Sequence, residues 1–146
     1  MNIVEDKELR REIILDNYQN PVNKGLVNDA SYIKENSNNE SCIDNIDIEM
    51  KVVNDIIEDI RFDGEACAIS TSATSIMIKS LIGKDVSVAR KILENYKKMI
   101  DEEEYDKEIL GELFVYSDIS KQPNRITCAL LPYKAICKML NRLDEV

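Results

Sequence analysis

Four cysteines, Cys42, Cys67, Cys128 and Cys137, are the side chains of this sequence best equipped for chemistry, and they stand in a chain without a single histidine. Their separations of 25, 61 and 9 positions contain no CxxC knuckle, redox pair or ferredoxin run. The missing imidazole excludes a Ser-His-Asp triad, a Cys-His dyad and a His-ligated zinc hydrolase built from this chain alone. Glycine is too scarce for a phosphate-cradling loop: the four glycines form neither GxGxxG nor a Walker pattern. What remains open to the chain is thiolate chemistry, either on sulfur or on a metal.

Context separates the four thiols. Cys42, Cys67 and Cys128 each fall at an expected junction, respectively loop to strand, strand to helix and loop to helix, and junctions of different elements meet in space more readily than their middles. A cysteine at a helix N-terminus faces unpaired N–H groups and the positive end of the dipole, which favour the thiolate that binds metal and attacks sulfur. Cys67 and Cys128 are both expected in that position. Asp44 follows Cys42 by two residues, so an extended chain carries the two on the same side, and its carboxylate would complete a three-sulfur, one-oxygen set acceptable to tetrahedral zinc. The plainer reading of Asp44 is a solvated carboxylate at a strand start. Cys137 lies on the apolar side of an expected helix and reads as a small core residue.

The elements that must position these groups follow from hydrophobic period. Glu5 to Tyr18 carries Leu9, Ile13, Ile14 and Tyr18 on one stripe and predicts an amphipathic helix ended by Pro21 and Gly25. Asn28 to Ser41 reads as loop with room for one short edge strand. Ile46, Ile48, Met50 and Val52 then alternate with Asp47, Glu49 and Lys51, which predicts a half-buried strand, and Asn54-Asp55 turns the chain into a second strand through Ile60 and Phe62. Gly64 breaks that strand. A helix over Thr71 to Ile82 is expected to stop at Gly83, a third to start at Asp85 or Ser87 with Val88, Ile92, Tyr96 and Met99 inward, and a shorter one to cover Asp106 to Leu113. A last helix is expected from just after Cys128 to Leu143, with Pro132 in its first turn. The fold class is α+β: a small antiparallel sheet packed against several helices, in a single domain over residues 1–146.

Composition sets limits on partners. Nineteen Lys and Arg against 28 Asp and Glu leave a formal charge of −9 over 146 residues, so nucleic-acid binding is not expected. No apolar run reaches the length of a membrane span, and the first residues lack the apolar core of a signal peptide. Cytoplasmic location, with cysteines kept as thiols, is the expectation.

The stretch from Leu9 to Gly25, Ser41-Cys42-Ile43-Asp44, Gly64-Glu65-Ala66-Cys67-Ala68-Ile69-Ser70 and Arg125-Ile126-Thr127-Cys128-Ala129-Leu130-Leu131 together resemble the iron-sulfur assembly scaffold family (IscU/NifU N-terminal type) over nearly the whole chain. Within it the chain is similar to the SufU type. Leu110 to Arg125 resembles the insertion that marks those proteins, and Thr127 stands where the IscU type has the histidine of a His-Cys pair. The resemblance implies zinc held by Cys42, Asp44, Cys67 and Cys128, and persulfide sulfur received from a PLP-dependent, SufS-like cysteine desulfurase. Cys42 would be the acceptor, freed from zinc by ligand exchange with a histidine of the desulfurase. Arg125 reads either as a steadying charge for the anionic site or as a surface arginine.

Two departures from the family pattern, Ile43 and Ala66 where glycines are usual, remove backbone freedom at the ligand loops. Three readings follow: a zinc-dependent sulfurtransferase partner of the desulfurase, a scaffold carrying a transient iron-sulfur cluster to downstream assembly proteins, or a helix-rich adaptor whose cysteines only pack.

Overall fold

The computed structural model describes residues 6–40 and 43–144. Its sheet has three antiparallel strands in the order β1 (Ile33–Asn38), β2 (Asn45–Val53), β3 (Ile56–Glu65). The β2–β3 hairpin is the pair the alternation predicts. Ile46, Ile48 and Met50 of β2 and Ile57, Ile60 and Phe62 of β3 are buried on one face. Val53 pairs with Ile56 across Asn54 and Asp55, whose φ values of 52° and 64° make the tight turn. The short edge strand allowed in the Asn-rich segment is β1, antiparallel to β2.

The described residues form five α-helices: α1 (Lys7–Gln19), α2 (Ala68–Leu81), α3 (Val86–Ile100), α4 (Pro123–Ala129) and α5 (Leu131–Leu143). The innermost is α2, where Ala73, Ile76, Met77, Ile78 and Leu81 meet Ile136, Met139 and Leu140 of α5 in one core with the sheet. Its Ser/Thr-rich first half is buried, and every hydroxyl finds a partner. Ser70 donates to Asp44, Thr71 to the Ala66 carbonyl, Thr74 to the Ser70 carbonyl and Ser75 to Asn17, while the Ser72 and Tyr116 hydroxyls share a bond. An unmet buried hydroxyl would cost about 1–3 kcal/mol, so this helix tolerates its polarity only because the partners are in place.

The first helix differs from its sequence reading in the face it buries. Glu5 lies outside the described residues, and Asp6 caps α1 by accepting from the Leu9 N–H. Tyr18, expected inward, is 44% exposed, whereas Arg10 and Asn17 are buried. The reason is polar pairing across elements. Arg10 reaches the Asp118 carboxylate at 3.0 Å, and Asn17 accepts from Ser75 while that same hydroxyl takes the Val22 N–H. On α3 the stripe is Ala89, Ile92, Leu93, Tyr96, Met99 and Ile100, and Val88 is left outside it at 38% exposed. The expected helix over Asp106 to Leu113 is a 3-10 segment, Glu108–Tyr116, broken at Gly111.

Gly64 is where β3 must leave the sheet to start α2. Its φ is +128°, and a Cβ there would stand 2.3 Å from the Asn45 carbonyl oxygen. Gly64→Ala combines a left-handed backbone with a backbone clash, so a loss of about 3 kcal/mol or more is expected. Thermal unfolding checks this, and an unchanged melting temperature would mean that the strand end has room.

Candidate metal centre

Asp44, Cys67 and Cys128 come together from three separate elements, with one ligand atom of each lying within 4.8 Å of the other two. Asp44 sits just before β2 and is 2% exposed. Cys67 is the N-cap of α2, as its place after the broken strand predicts, and its Sγ accepts from the Ser70 N–H at 3.4 Å. That contact gives sulfur one of the helix's unpaired donors. Cys128 is placed differently from the expectation. It is the penultimate residue of α4, a short helix that begins with Pro123, so it lies at a helix C-terminal end and receives no help from an N-terminal dipole.

The pocket is stitched shut by bonds between the ligand-bearing segments. Asp44 Oδ1 accepts from the Cys67 N–H at 2.7 Å and Oδ2 from the Ser70 hydroxyl at 2.6 Å. The Asn39 N–H donates to the Asp44 carbonyl, and the Asn39 side chain donates to Thr127 Oγ1 beside Cys128. Ser37 of β1 donates to the Leu131 carbonyl at the start of α5. Tyr96 does the same to the Ala129 carbonyl, which fixes the joint between α4 and α5 from below.

Without a cation these groups crowd one another. Burial first, and then the neighbouring Cys67 thiol, push the Cys128 thiol up to about 12, so it keeps its proton at neutral pH. A divalent cation reverses that preference and must displace the proton on binding. The separation suits zinc: tetrahedral bonds of about 2.3 Å to sulfur and about 2.1 Å to oxygen put those two ligand atoms roughly 3.6 Å apart. Cys67 Sγ and Asp44 Oδ2 are 3.8 Å apart. Two thiols and one carboxylate form three quarters of such a set.

Cys42, the fourth expected ligand, lies outside the described residues. Its neighbour Ile43 is 68% exposed. Arg125 is exposed on α4, three residues before Cys128, and its side chain has no hydrogen-bond or ion-pair partner among the described residues. Cys137 is not in the cluster: it packs half-buried against the core from α5, where burial raises its thiol. Ser70 and Asn39 escaped the sequence reading. A serine three residues after an N-cap cysteine, in a capping-box-like position, was the signal available for Ser70.

Asp44→Ala is expected to weaken zinc retention by roughly 100-fold or more, beyond what loss of a merely supporting group costs. It should also raise the alkylation rate of Cys67 and Cys128, because a coordination position opens while both sulfurs remain. Cys137→Ser should change neither. Chelator competition and timed thiol labelling check both variants, and zinc loss from Cys137→Ser would overturn the ligand assignment.

Known proteins resemble this chain over most of its length. The model of the NifU-like N terminal domain matches residues 9–129. The zinc-dependent sulfurtransferase SufU of Bacillus subtilis is 40% identical over 131 residues, covering 89% of this chain and 88% of that protein. The iron-sulfur cluster assembly scaffold protein IscU of Thermotoga maritima is 31% identical over 139 residues, covering 95% of this chain and 97% of that protein. Among solved structures, FiSufU from Fervidobacterium islandicum AW-1 superposes with a TM-score of 0.81 at 31% identity, covering 88% of this chain and 94% of that one.

Proposed function

The chain belongs to the NifU-like N-terminal domain family, and from that membership we propose that it is an iron-sulfur cluster assembly protein acting as a zinc-dependent sulfur acceptor for a cysteine desulfurase. The observation that carries this reading is the convergence of buried Asp44 and Cys128 with half-buried Cys67 at one point. Cys42 completes the ligand set. It lies two residues from Asp44, and two residues of chain span at most about 7 Å, so its sulfur is within reach of the other three ligands. Bound zinc supplies the positive charge that keeps the gathered sulfurs as thiolates.

The transfer itself is a thiolate displacement. Cys42 Sγ attacks the terminal sulfur of a persulfide carried by the desulfurase. A new sulfur–sulfur bond forms on Cys42 as the old one breaks, and the desulfurase cysteine leaves as a thiolate with the bonding pair. No external oxidant or reductant enters. Asp44, Cys67 and Cys128 hold the site together while Cys42 reacts, and the neighbouring Ile43 is exposed. Arg125, exposed close before Cys128, offers a cation to the persulfide anion. The partner is of the PLP-dependent, SufS-like kind, and the chain works in the cytoplasm as one domain over residues 1–146. No described helix is long and apolar enough to cross a membrane.

Adding the zinc-loaded protein to such a desulfurase with cysteine and a reductant should speed alanine formation, whereas the protein alone should form none. A second reading, in which the same ligands carry a transient iron-sulfur cluster, is favoured by the relationship to the IscU of Thermotoga maritima. Anaerobic reconstitution separates the two, since a cluster absorbs visible light and zinc is silent. A protein that binds the desulfurase without accelerating it, yet holds a visible cluster, would make the scaffold the right description.

A further inference from the structure

Two of the three converging ligands meet on a side chain that is not itself a ligand. Ser70 lies in the first turn of α2 with no exposed surface. Its hydroxyl donates to Asp44 Oδ2 at 2.6 Å, its Oγ accepts from the Cys67 thiol at 3.3 Å, and its N–H donates to Cys67 Sγ at 3.4 Å. A hydroxyl has one proton, and the short contact commits it to the carboxylate, which leaves only lone pairs to face sulfur. Oδ1 of the same carboxylate is taken by the Cys67 N–H at 2.7 Å. Asp44 is therefore gripped at both oxygens, although the terminal torsion of an aspartate is otherwise broad.

The other buried hydroxyls of α2 serve packing. Thr71 bonds the Ala66 carbonyl, Ser72 Tyr116, Thr74 the Ser70 carbonyl and Ser75 Asn17, so Ser70 alone among them donates to a member of the ligand set. We propose that Ser70 is the positioning residue of the metal centre: its hydroxyl fixes the rotation of the Asp44 carboxylate so that one oxygen faces the Cys67–Cys128 pair. This rests on the zinc-binding reading of the site. Two effects oppose each other. Donation to a ligating oxygen drains some of its charge and weakens it as a ligand, whereas fixed orientation removes the ordering that binding would otherwise require. Supporting bonds of this kind around metal centres typically raise affinity by about 10–100-fold, so orientation wins.

Zinc affinity by competition with a chromophoric chelator, measured on a double-mutant cycle of wild type, Ser70→Ala, Asp44→Ala and the pair, tests this. Ser70→Ala should lose about 10–100-fold in affinity. In the Asp44→Ala background the same change should cost less than about threefold, because the group it acts through is gone. Ser72→Ala, an equally buried hydroxyl on the same helix, should keep wild-type affinity, and Ser70→Thr, which retains the hydroxyl, should recover most of the loss. Melting of the metal-free variants separates folding from binding. Equal losses in both Asp44 backgrounds, or an unchanged Ser70→Ala affinity, would overturn the positioning role. A wild type that takes up no zinc would instead overturn the reading on which it rests.

Discussion

Cys42→Ala is expected to abolish the acceleration of a cysteine desulfurase by this protein while leaving the association of the two largely intact. The acceptor sulfur carries the transferred atom, whereas affinity is spread over the surface around it, so removing one thiol deletes the reaction and little of the interface. Alanine formation should fall to the rate of the desulfurase alone, a loss of the whole stimulated rate and not of a fraction. Cys137→Ser should keep that rate, since its half-buried thiol packs on α5 away from the cluster. If Cys42→Ala still accelerates the desulfurase, sulfur reaches another acceptor, and Cys67 is then the next candidate, since Cys128 is buried.

Zinc removal should have the second large effect, on stability. The ligands come from the segment before β2, the cap of α2 and the end of α4, so one ion ties together three regions far apart in sequence. Apparent zinc-binding energies reach on the order of 10 kcal/mol in small domains that fold around the metal. This chain also has a large apolar core, so it should remain folded without zinc but less stable. A net loss of about 3 kcal/mol would lower its melting temperature by roughly 10 °C. Chelated and zinc-loaded samples in parallel thermal scans check this. Identical melting with one zinc demonstrably bound would mean that the three segments hold their positions without it.

The parts of the fold legible in the sequence were those governed by one strong local pattern. The alternation from Ile46 to Val52 marked β2 because Ile46, Ile48 and Met50 share one buried face, although Glu49 on the other face is buried too, its carboxylate accepting the Val27 and Asn28 N–H groups; Asn54-Asp55 marked the turn because both residues tolerate positive φ. Patterns fail where tertiary pairing overrides polarity. Arg10 is buried because Asp118, more than a hundred residues away, receives it, and Asn17 because Ser75 does. Nothing within α1 announces either partner. The polar run from Ser70 to Ser75 is interior for the same reason.

The site was legible as ligand types at element junctions, and Asp44, Cys67 and Cys128 do converge. Its electrostatics were less so. Cys128 was expected at a helix start, but Pro123 opens a separate short helix whose end it occupies, and burial raises its thiol where a dipole would have lowered it. The bonds that orient the ligands, from Ser70 to Asp44 and from Asn39 to Thr127, join positions 26 and 88 residues apart and leave no periodic trace.

Mass spectrometry of the protein after brief incubation with a cysteine desulfurase and cysteine, without reductant and with unreacted thiols blocked, tests the central claim most directly. The account predicts the mass of added sulfur on the peptide containing Cys42, at zinc contents near one per chain. Sulfur found only on Cys67, Cys128 or Cys137, or on none of them while the desulfurase itself carries persulfide, would contradict it.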